Sequence, residues 1–170
     1  HFAQHSLDAL QQFIRQHPLA TVVHSTTQGL EADLIPLYLN TEQGQWGVLQ
    51  GHIARANPLW KHYQATQPVL ILFHGAQHYI TPNWYPSKHE HGKVVPTWNY
   101  EVVQAKGLLT LHHEPEWIVQ QMQAITAQQE SDFTPAWRIE DAPADYIANM
   151  VKAVVGIEIT LTELIGKSKL

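Results

Sequence analysis

Residues 19–40 read LATVVHSTTQGLEADLIPLYLN. Segments 19–26 and 31–40 are rich in apolar and β-branched residues, and Gln28-Gly29 between them is typical of a turn. The sequence therefore predicts two successive strands. Pro36 lies inside the second one, and since proline cannot donate to a ladder, we expect an edge or a bulge where backbone groups are free to meet a ligand.

The rest of the chain continues this β-rich pattern. In the closing segment, Ile157, Ile159 and Leu161 alternate with polar residues, as in a half-buried strand. The other predicted strands are 45–50, 68–74, 77–81 and 98–111. Strands spaced this closely favour a closed or nearly closed barrel.

Four helices are predicted around these strands. Ser6 caps the first, which Pro18 ends, and Asn57-Pro58 opens a short helix that runs to Tyr63. A third helix is expected over 114–128, with Ile118, Met122 and Ile125 on a packing face and the Gln-rich positions on the opposite face. Asp141 is expected to cap a fourth helix over 143–151. The fold class is therefore α+β.

Composition limits the protein's class. With 170 residues and 44% hydrophobic content, we expect one globular domain over 1–170. The chain has no cysteine, which excludes disulfides and thiolate chemistry. No apolar run is long enough to span a bilayer, and we expect a cytoplasmic location. We also expect that native residues precede His1 and that the native tail continues beyond Leu170.

Charge argues against direct DNA binding. The net charge is −5, and the 10 lysines and arginines are scattered between Arg15 and Lys169. Phosphate-backbone binding requires a concentrated basic surface. The best helical candidate for DNA reading, 114–128, is acidic at its start and carries no basic residue.

The segment 78–100 has the composition of a ligand-binding loop. It lacks clear periodicity and is too aromatic to be disordered. Its aromatic residues offer flat faces, and its polar residues offer donors suited to a planar anionic ligand. These residues are Trp84, Tyr85, Trp98 and Tyr100, with Ser87, Lys88, His89, His91, Lys93, Thr97 and Asn99. The alternative is a loop that packs its aromatic residues against the core or a partner subunit.

A second candidate site lies at 51–58, GHIARANP, between a predicted strand and a helix start. Gly51, His52, Arg55 and a run of turn amides form an anion cradle of the kind that a phosphate monoester requires. The alternative is that Asn57 only caps the helix and Arg55 forms a surface ion pair.

Metal binding and nucleophilic catalysis receive little support. The pairs His89-Glu90-His91 and His112-His113 do not have zinc-ligand spacing, and no His-Glu-x-x-His motif is present. Ser87 precedes Lys88 and His89, but no Gly-x-Ser-x-Gly turn surrounds it. We therefore expect neither a native metal site nor a hydrolytic triad.

Three segments carry a resemblance to a known family: GHIARANPLW at 51–60, YITPNWYPSKHEHGKVVPTWNYEVVQAKG at 79–107 and VVGIEITLTELIGKSKL at 154–170. Over nearly its whole length the chain resembles the PaiB-type FMN-binding negative transcriptional regulators of bacteria. The resemblance implies a flavin-binding split barrel, which is a six-stranded Greek-key barrel flanked by helices. It also implies a homodimer with FMN at the subunit interface.

The resemblance further implies where the flavin lies. Gly51, His52 and Arg55 would face the ribityl phosphate. The strand over 31–38 would follow the edge of the isoalloxazine ring with Asp33, Leu34, Ile35 and Pro36. The segment 82–99 would cover the flavin, from the other subunit.

Three functions remain open at this stage. The first is a regulator that senses flavin or redox state and acts through a partner or an indirect route. The second is an FMN-dependent oxidoreductase, in which Lys88, His89 and His91 would hold substrate or donate protons. The third is a barrel that binds haem instead of flavin, with a histidine as axial ligand.

Overall fold

The computed structural model describes residues 5–170. Its helices are α1 Leu7–Gln16, α2 Leu59–His62, α3 Ser87–His91, α4 Pro115–Glu130 and α5 Ala144–Lys152. Its strands are β1 Leu19–Thr26, β2 Gly29–Pro36, β3 Tyr38–Asn40, β4 Val48–Ala54, β5 Val69–Ile80, β6 Thr97–His112 and β7 Val154–Lys169. Short 3₁₀ turns occur at Pro82–Trp84 and Ile139–Asp141.

The seven strands form one antiparallel sheet in the order β2-β1-β5-β6-β7-β4-β3. Only Leu37 separates β2 from β3, so these two are a single strand interrupted after Pro36. This strand pairs with β1 through β2 and with β4 through β3, which joins the two ends of the sheet. The result is a six-stranded Greek-key barrel with flanking helices, and the predicted α+β class and barrel are confirmed.

Alternation along the strands fills the barrel with apolar side chains. Ala20 and Val22 on β1 and Ile71 and Phe73 on β5 are fully buried. Helix α1 adds Leu10 and Ile14 to the same core. As predicted, Ser6 caps α1, and its hydroxyl accepts a hydrogen bond from the N–H of Ala9 at 3.2 Å. Burial of the apolar side chains of β1, β5 and α1 is the main source of stability for the barrel.

Helix α4 covers the outer face of the barrel. Its buried Ile118 faces the sheet, and Trp117 lies directly over Gly156 of β7. A Cβ at Gly156 would be 2.5 Å from Cζ3 of the indole, so only glycine allows this contact. The helix therefore has a fixed position against β4 and β7.

Several predicted strand boundaries were wrong, and the strand predicted over 45–50 begins only at Val48. Strand β4 does not end at residue 50, because residues 51–54 pair with 154–157 of β7. Gly51 and His52 thus lie inside a strand and not in the turn after it. The predicted strands 68–74 and 77–81 are one strand, β5, whose register shifts between His74 and Gln77. Phe13 packs at this shift, where a Cβ on Gly75 would be 2.6 Å from the phenyl ring.

The segment 78–100 is more regular than predicted. Residues 78–80 pair with 97–99, which leaves 81–96 as the connection between β5 and β6. Within this connection, α3 ends at Gly92, whose φ of +67° favours glycine.

The prediction that Asp141 caps the helix over 143–151 was also wrong. Its carboxylate accepts from the N–H of Arg138 at 2.9 Å, and Pro143 occupies the position before α5.

The close approach at Gly51 gives a test of barrel closure. A Cβ there would lie 2.8 Å from the carbonyl oxygen of Pro36 and 2.9 Å from Cδ2 of Leu37. We expect Gly51→Ala to lower the free energy of unfolding by about 1–3 kcal/mol, as overpacking does elsewhere. Urea unfolding measures this, with Ala54→Ser as the control, since it adds one heavy atom at an exposed position of the same strand. Equal stability of the two variants would contradict the contact.

Candidate functional site: a split between two strands

The barrel has a split between β2 and β4. Tyr38 and Gln50 form the last pair that connects the interrupted strand to β4. Beyond it, β2 pairs only with β1 and β4 only with β7 within residues 5–170. Two strand edges therefore face each other without pairing. Their backbone N–H and C=O groups are available to a ligand.

Asp33 and Asn57 bridge the far end of the split. The side-chain amide of Asn57 donates to Oδ1 of Asp33 at 2.8 Å, and Nε2 of His24 lies 3.1 Å from Oδ2 of the same carboxylate. Oδ1 of Asn57 also accepts from the N–H of Leu59 at 2.9 Å. Pro58 occupies the N-cap position that the sequence assigned to Asn57. The Asn57 side chain still accepts from the first residue of α2, and it also connects the two sides of the split.

His24 is a member of this site that sequence reasoning missed. It is only 1% exposed, and its Nδ1 has no hydrogen-bond partner in the described part of the chain. The signal was present, because Ala20, Val22 and His24 occupy successive inward positions of β1. A histidine in such a series is a buried polar group that requires a partner, which Asp33 supplies.

Arg55 lies at the end of β4, where neighbouring carbonyl groups hold its guanidinium. Nε donates to the carbonyl of Lys152 at 3.1 Å, and Nη2 donates to that of Val154 at 3.0 Å. The guanidinium also lies over the ring of Trp60, 5.6 Å from its centroid. Since arginine has five N–H donors, these two bonds leave three for an anion. Arg55 forms no salt bridge among residues 5–170, in contrast to the alternative of a surface ion pair.

The expected run of free turn amides is absent from the described segment 55–59. The N–H of Arg55 donates to the carbonyl of Ala153 at 2.8 Å, and that of Asn57 donates to the carbonyl of Ala54 at 2.9 Å. The Leu59 N–H is used by the Asn57 side chain. The guanidinium is therefore the group in this segment best placed to bind an anion.

His52 points toward α4. Its Nδ1 lies 2.9 Å from Oε1 of Gln121, a buried residue of α4. A polar cavity of about 930 Å³ lies beside this pair, between α4 and the outer face of β3, β4 and β7. Gln121 was also missed, because the glutamines of α4 were all taken as outward-facing. Its spacing of three from the buried Ile118 places it on the packed face.

The aromatic segment and Arg55 lie near opposite ends of β7. Ala54 pairs with Val154 at one end of β7, and Tyr100 pairs with Lys169 at the other. Because β7 has 16 residues, the two ends are separated by roughly 50 Å of strand at about 3.3 Å per residue. The strands that border the split carry Asp33, Leu34, Ile35 and Gly51. The His52 side chain faces α4, and the Arg55 guanidinium lies on the β7 side of β4. Near the opposite end of β7 lie Trp84, Tyr85, Ser87, Lys88, Lys93, Thr97 and Asn99.

Contacts within the aromatic segment give it a defined shape. Trp84 stacks on His78 with ring centroids 5.9 Å apart, and Trp98 meets Tyr79 edge to face at 5.8 Å. Lys88 donates to Oδ1 of Asn83. Trp84 and Trp98 nonetheless remain largely exposed. The segment therefore presents aromatic surface that residues 5–170 leave exposed.

An apolar face extends from the split along β2 and β1. Leu30, Ala32 and Leu34 point outward, and Leu30 and Leu34 are 75% and 69% exposed. Leu19 on β1 lies beside them and is also exposed. Contiguous exposed apolar side chains of this kind mark interaction surfaces.

Residues 5–170 contain no cluster of three or more acidic or histidine side chains that could hold a metal ion. Among these residues, none of the helices has the length and apolar character of a membrane span.

Glu114 lies just before α4. A hydrogen bond from the Glu114 backbone lowers the pKa of its carboxyl group, and the nearby His112 lowers it further.

A six-stranded barrel flanked by helices, with this strand order, defines the flavin-binding split-barrel class. The fold is shared with the flavocytochrome Anf3 of Azotobacter vinelandii, at a TM-score of 0.70 and 11% identity over 98% of this chain and 69% of that one. It is also shared with the FAD and heme binding protein of Mycobacterium smegmatis, at a TM-score of 0.68 and 13% identity over 98% of this chain and 72% of that one.

Residues 1–163 match the family described as "Putative FMN-binding domain", and the chain belongs to this family. An uncharacterised protein of Emericella nidulans is 32% identical over 203 residues, covering 99% of this chain and 81% of that protein. The protease synthase and sporulation protein PAI 2 of Bacillus subtilis is 26% identical over 173 residues, covering 100% of this chain and 79% of that protein. The resemblance to the PaiB type is confirmed, and relatives occur in fungi as well as in a bacterium.

The bridge across the split can be tested by stability. Asn57→Ala removes the hydrogen bonds to Asp33 and to Leu59, so we expect a loss of about 1–3 kcal/mol in the free energy of unfolding. Asn149→Ala is the matched control, since Asn149 is exposed on α5. Chemical denaturation compares the two, and a cost for Asn57→Ala no larger than that of the control would contradict the bridge.

Proposed function

We propose that this protein binds FMN in the split between β2 and β4 of a homodimer, and that it acts as a negative regulator that responds to flavin or redox state. The single observation that carries the flavin site is the pair of unpaired strand edges, with the Arg55 guanidinium held beside β4 just beyond one end of them. Membership of the FMN-binding family supports the choice of ligand.

The chemistry of FMN matches the two parts of the split. The pyrimidine edge of the isoalloxazine ring carries amide-like donors and acceptors, and free backbone groups at residues 33–36 of β2 could pair with them. The phosphate would bind the three remaining donors of Arg55. Its guanidinium is already held by Lys152 and Val154, so little side-chain entropy would be lost on binding.

A second subunit would complete the site. Within one chain, the aromatic segment around Trp84 lies at the opposite end of β7 from Arg55. In a two-fold dimer, the segment of one subunit can reach the split of the other. The apolar face of Leu30, Ala32 and Leu34 adjoins the split and would form part of the dimer contact.

The proposed regulatory role is supported by the Bacillus subtilis relative, whose name refers to protease synthesis and sporulation. Charge favours regulation through a partner protein and not through direct DNA contact. The net charge is −5, and α4 carries Glu116 and Glu130 but no lysine or arginine. A DNA-reading helix requires the opposite charge.

An FMN-dependent oxidoreductase is a second candidate, favoured by the polar cavity beside His52, which could admit a substrate. Repeated oxidation of a nicotinamide donor would support the enzyme over the regulator. Haem is less favoured than flavin. His24 and His52, on the strands next to the split, already contact Asp33 and Gln121.

Comparison of FMN with riboflavin tests the phosphate contact. A charge-assisted contact worth about 1.5–3 kcal/mol makes FMN bind roughly ten- to a hundred-fold more tightly than riboflavin. In Arg55→Gln we expect the ratio of the riboflavin Kd to the FMN Kd to fall close to one, with riboflavin affinity retained. Flavin fluorescence titration measures both ligands. The control is Arg138→Gln, which removes an exposed guanidinium elsewhere.

This comparison separates binding from folding. If Arg55 only supports the end of β4, the substitution will weaken FMN and riboflavin equally. That result would contradict a phosphate contact.

Mixed dimers test the shared site. Trp84→Ala and Arg55→Gln should each weaken FMN binding. If each site combines the segment of one subunit with the split of the other, a mixed dimer has one doubly altered site and one intact site. Random exchange of subunits should then restore about a quarter of the sites. Flavin retained per chain after exchange is the measurement.

Leu30→Glu, placed in the apolar face, should prevent the recovery when introduced into both variants. No recovery in the parent mixture, with subunit exchange confirmed by a mass tag, would show that each chain builds its own site.

A further inference from the structure

The cavity beneath α4 is distinct in composition from the split. Its walls come from β3, β4, β7, α4 and the end of α1, and they are mostly neutral and polar. Six amide side chains line it, together with one tyrosine, one tryptophan and one threonine. These are Asn40, Gln43, Gln50, Gln120, Gln121 and Gln128, with Tyr38, Trp117 and Thr41. Its volume of about 930 Å³ is at the upper end of the range typical of small-molecule sites.

Gln121 shows that this cavity has an unmet hydrogen-bonding requirement. The residue is 2% exposed, and its Oε1 is used by His52. Its Nε2 has no partner in the described part of the chain. If the amide is turned over, Nε2 meets His52 and Oε1 becomes the unpartnered atom. In either orientation one buried amide atom lacks a partner, and a buried group left in this state costs about 1–3 kcal/mol.

Trp117 supplies a rigid flat surface in the same cavity. Its indole stacks on His112 with ring centroids 4.0 Å apart and an interplanar angle of 8°. Nε2 of His112 lies 3.4 Å from Oε1 of Glu158, and the side-chain amide of Gln50 donates to Oε2 of the same carboxylate at 3.0 Å. Cζ3 and Cε3 of the indole lie over Gly156, where a side chain would clash with them. The platform is therefore fixed before any ligand binds.

The charges around the cavity disfavour an anion. One cation, Arg15, and two carboxylates, Glu42 and Glu158, line it, which leaves a net charge of −1 with histidine neutral. The guanidinium of Arg15 lies at the limit of a hydrogen bond to Thr41, at 3.5 Å. A phosphate would meet more negative than positive charge here, in contrast to the corner around Arg55.

We propose that this cavity is a second binding site, for an uncharged nucleoside or similar planar nitrogen heterocycle. The ring would lie against Trp117, and its amide-like edge would pair with Gln121. Side-chain amides recognise the edges of such rings by paired donor and acceptor contacts. Tyr38 and Gln50, which form the last pair before the split, also line the cavity, so the ligand would lie next to the flavin split but outside it.

Calorimetric titration of the flavin-free protein with adenosine and uridine tests this site. We expect at least one of them to bind with a Kd below about 1 mM, and its 5′-monophosphate to bind at least ten-fold more weakly. Gln121→Glu keeps an acceptor for His52 but removes the unpartnered donor, and it should weaken nucleoside binding at least ten-fold. Gln129→Glu is the control, because Gln129 lies on the exposed side of α4.

Trp117→Leu is a second variant, which removes the platform without altering Gln121. Loss of binding in both variants, with cooperative melting retained and the control unaffected, would support the site. Failure of both nucleosides to bind, equal binding of their monophosphates, or competition with FMN would overturn it. A parallel FMN titration distinguishes this failure from failure of the flavin site, since the two sites share no side chain proposed here to bind a ligand.

Discussion

The structure depends on one interrupted strand. Pro36 and Leu37 divide it into β2, which pairs with β1, and β3, which pairs with β4. The same interruption closes the barrel and opens the split, because β2 leaves β4 as soon as the β3 pairs end. Gly51 lies where the two strands part and permits their closest approach. A longer side chain at this point would force the strands apart or collapse the split, so closure and ligand access are set together.

The chemistry follows from what the split brings together. Asp33 connects His24 inside the barrel to Asn57 at the start of α2. The carbonyl groups of Lys152 and Val154, at the junction of α5 and β7, hold the Arg55 guanidinium on the other side of β4. In the proposed complex, the backbone edges would contact the flat part of the ligand and the guanidinium would contact its charge. The aromatic segment, at the other end of β7, adds nothing to this site unless a second chain supplies it.

Much of the fold was predictable from the sequence, because alternation and turn signals determine the strands. Strand β1 agreed with its predicted bounds, and Pro36 marked the interruption. Local signals failed where tertiary pairing decided the outcome. Gly51 and His52 resemble turn residues, but pairing with β7 holds them in a strand. Gln121 is polar and was assigned to the solvent face, although its position on α4 places it against His52. Contacts of residues 78–100 with a second chain would depend on assembly, which local sequence signals do not determine.

The most direct test of the central claim is a crystal structure of the protein with FMN. We expect the phosphate within hydrogen-bond distance of the Arg55 guanidinium, the isoalloxazine edge along residues 33–36, and Trp84 of a second copy over the ring. Flavin bound in the cavity beneath α4, or enclosed by residues of one chain alone, would contradict the account.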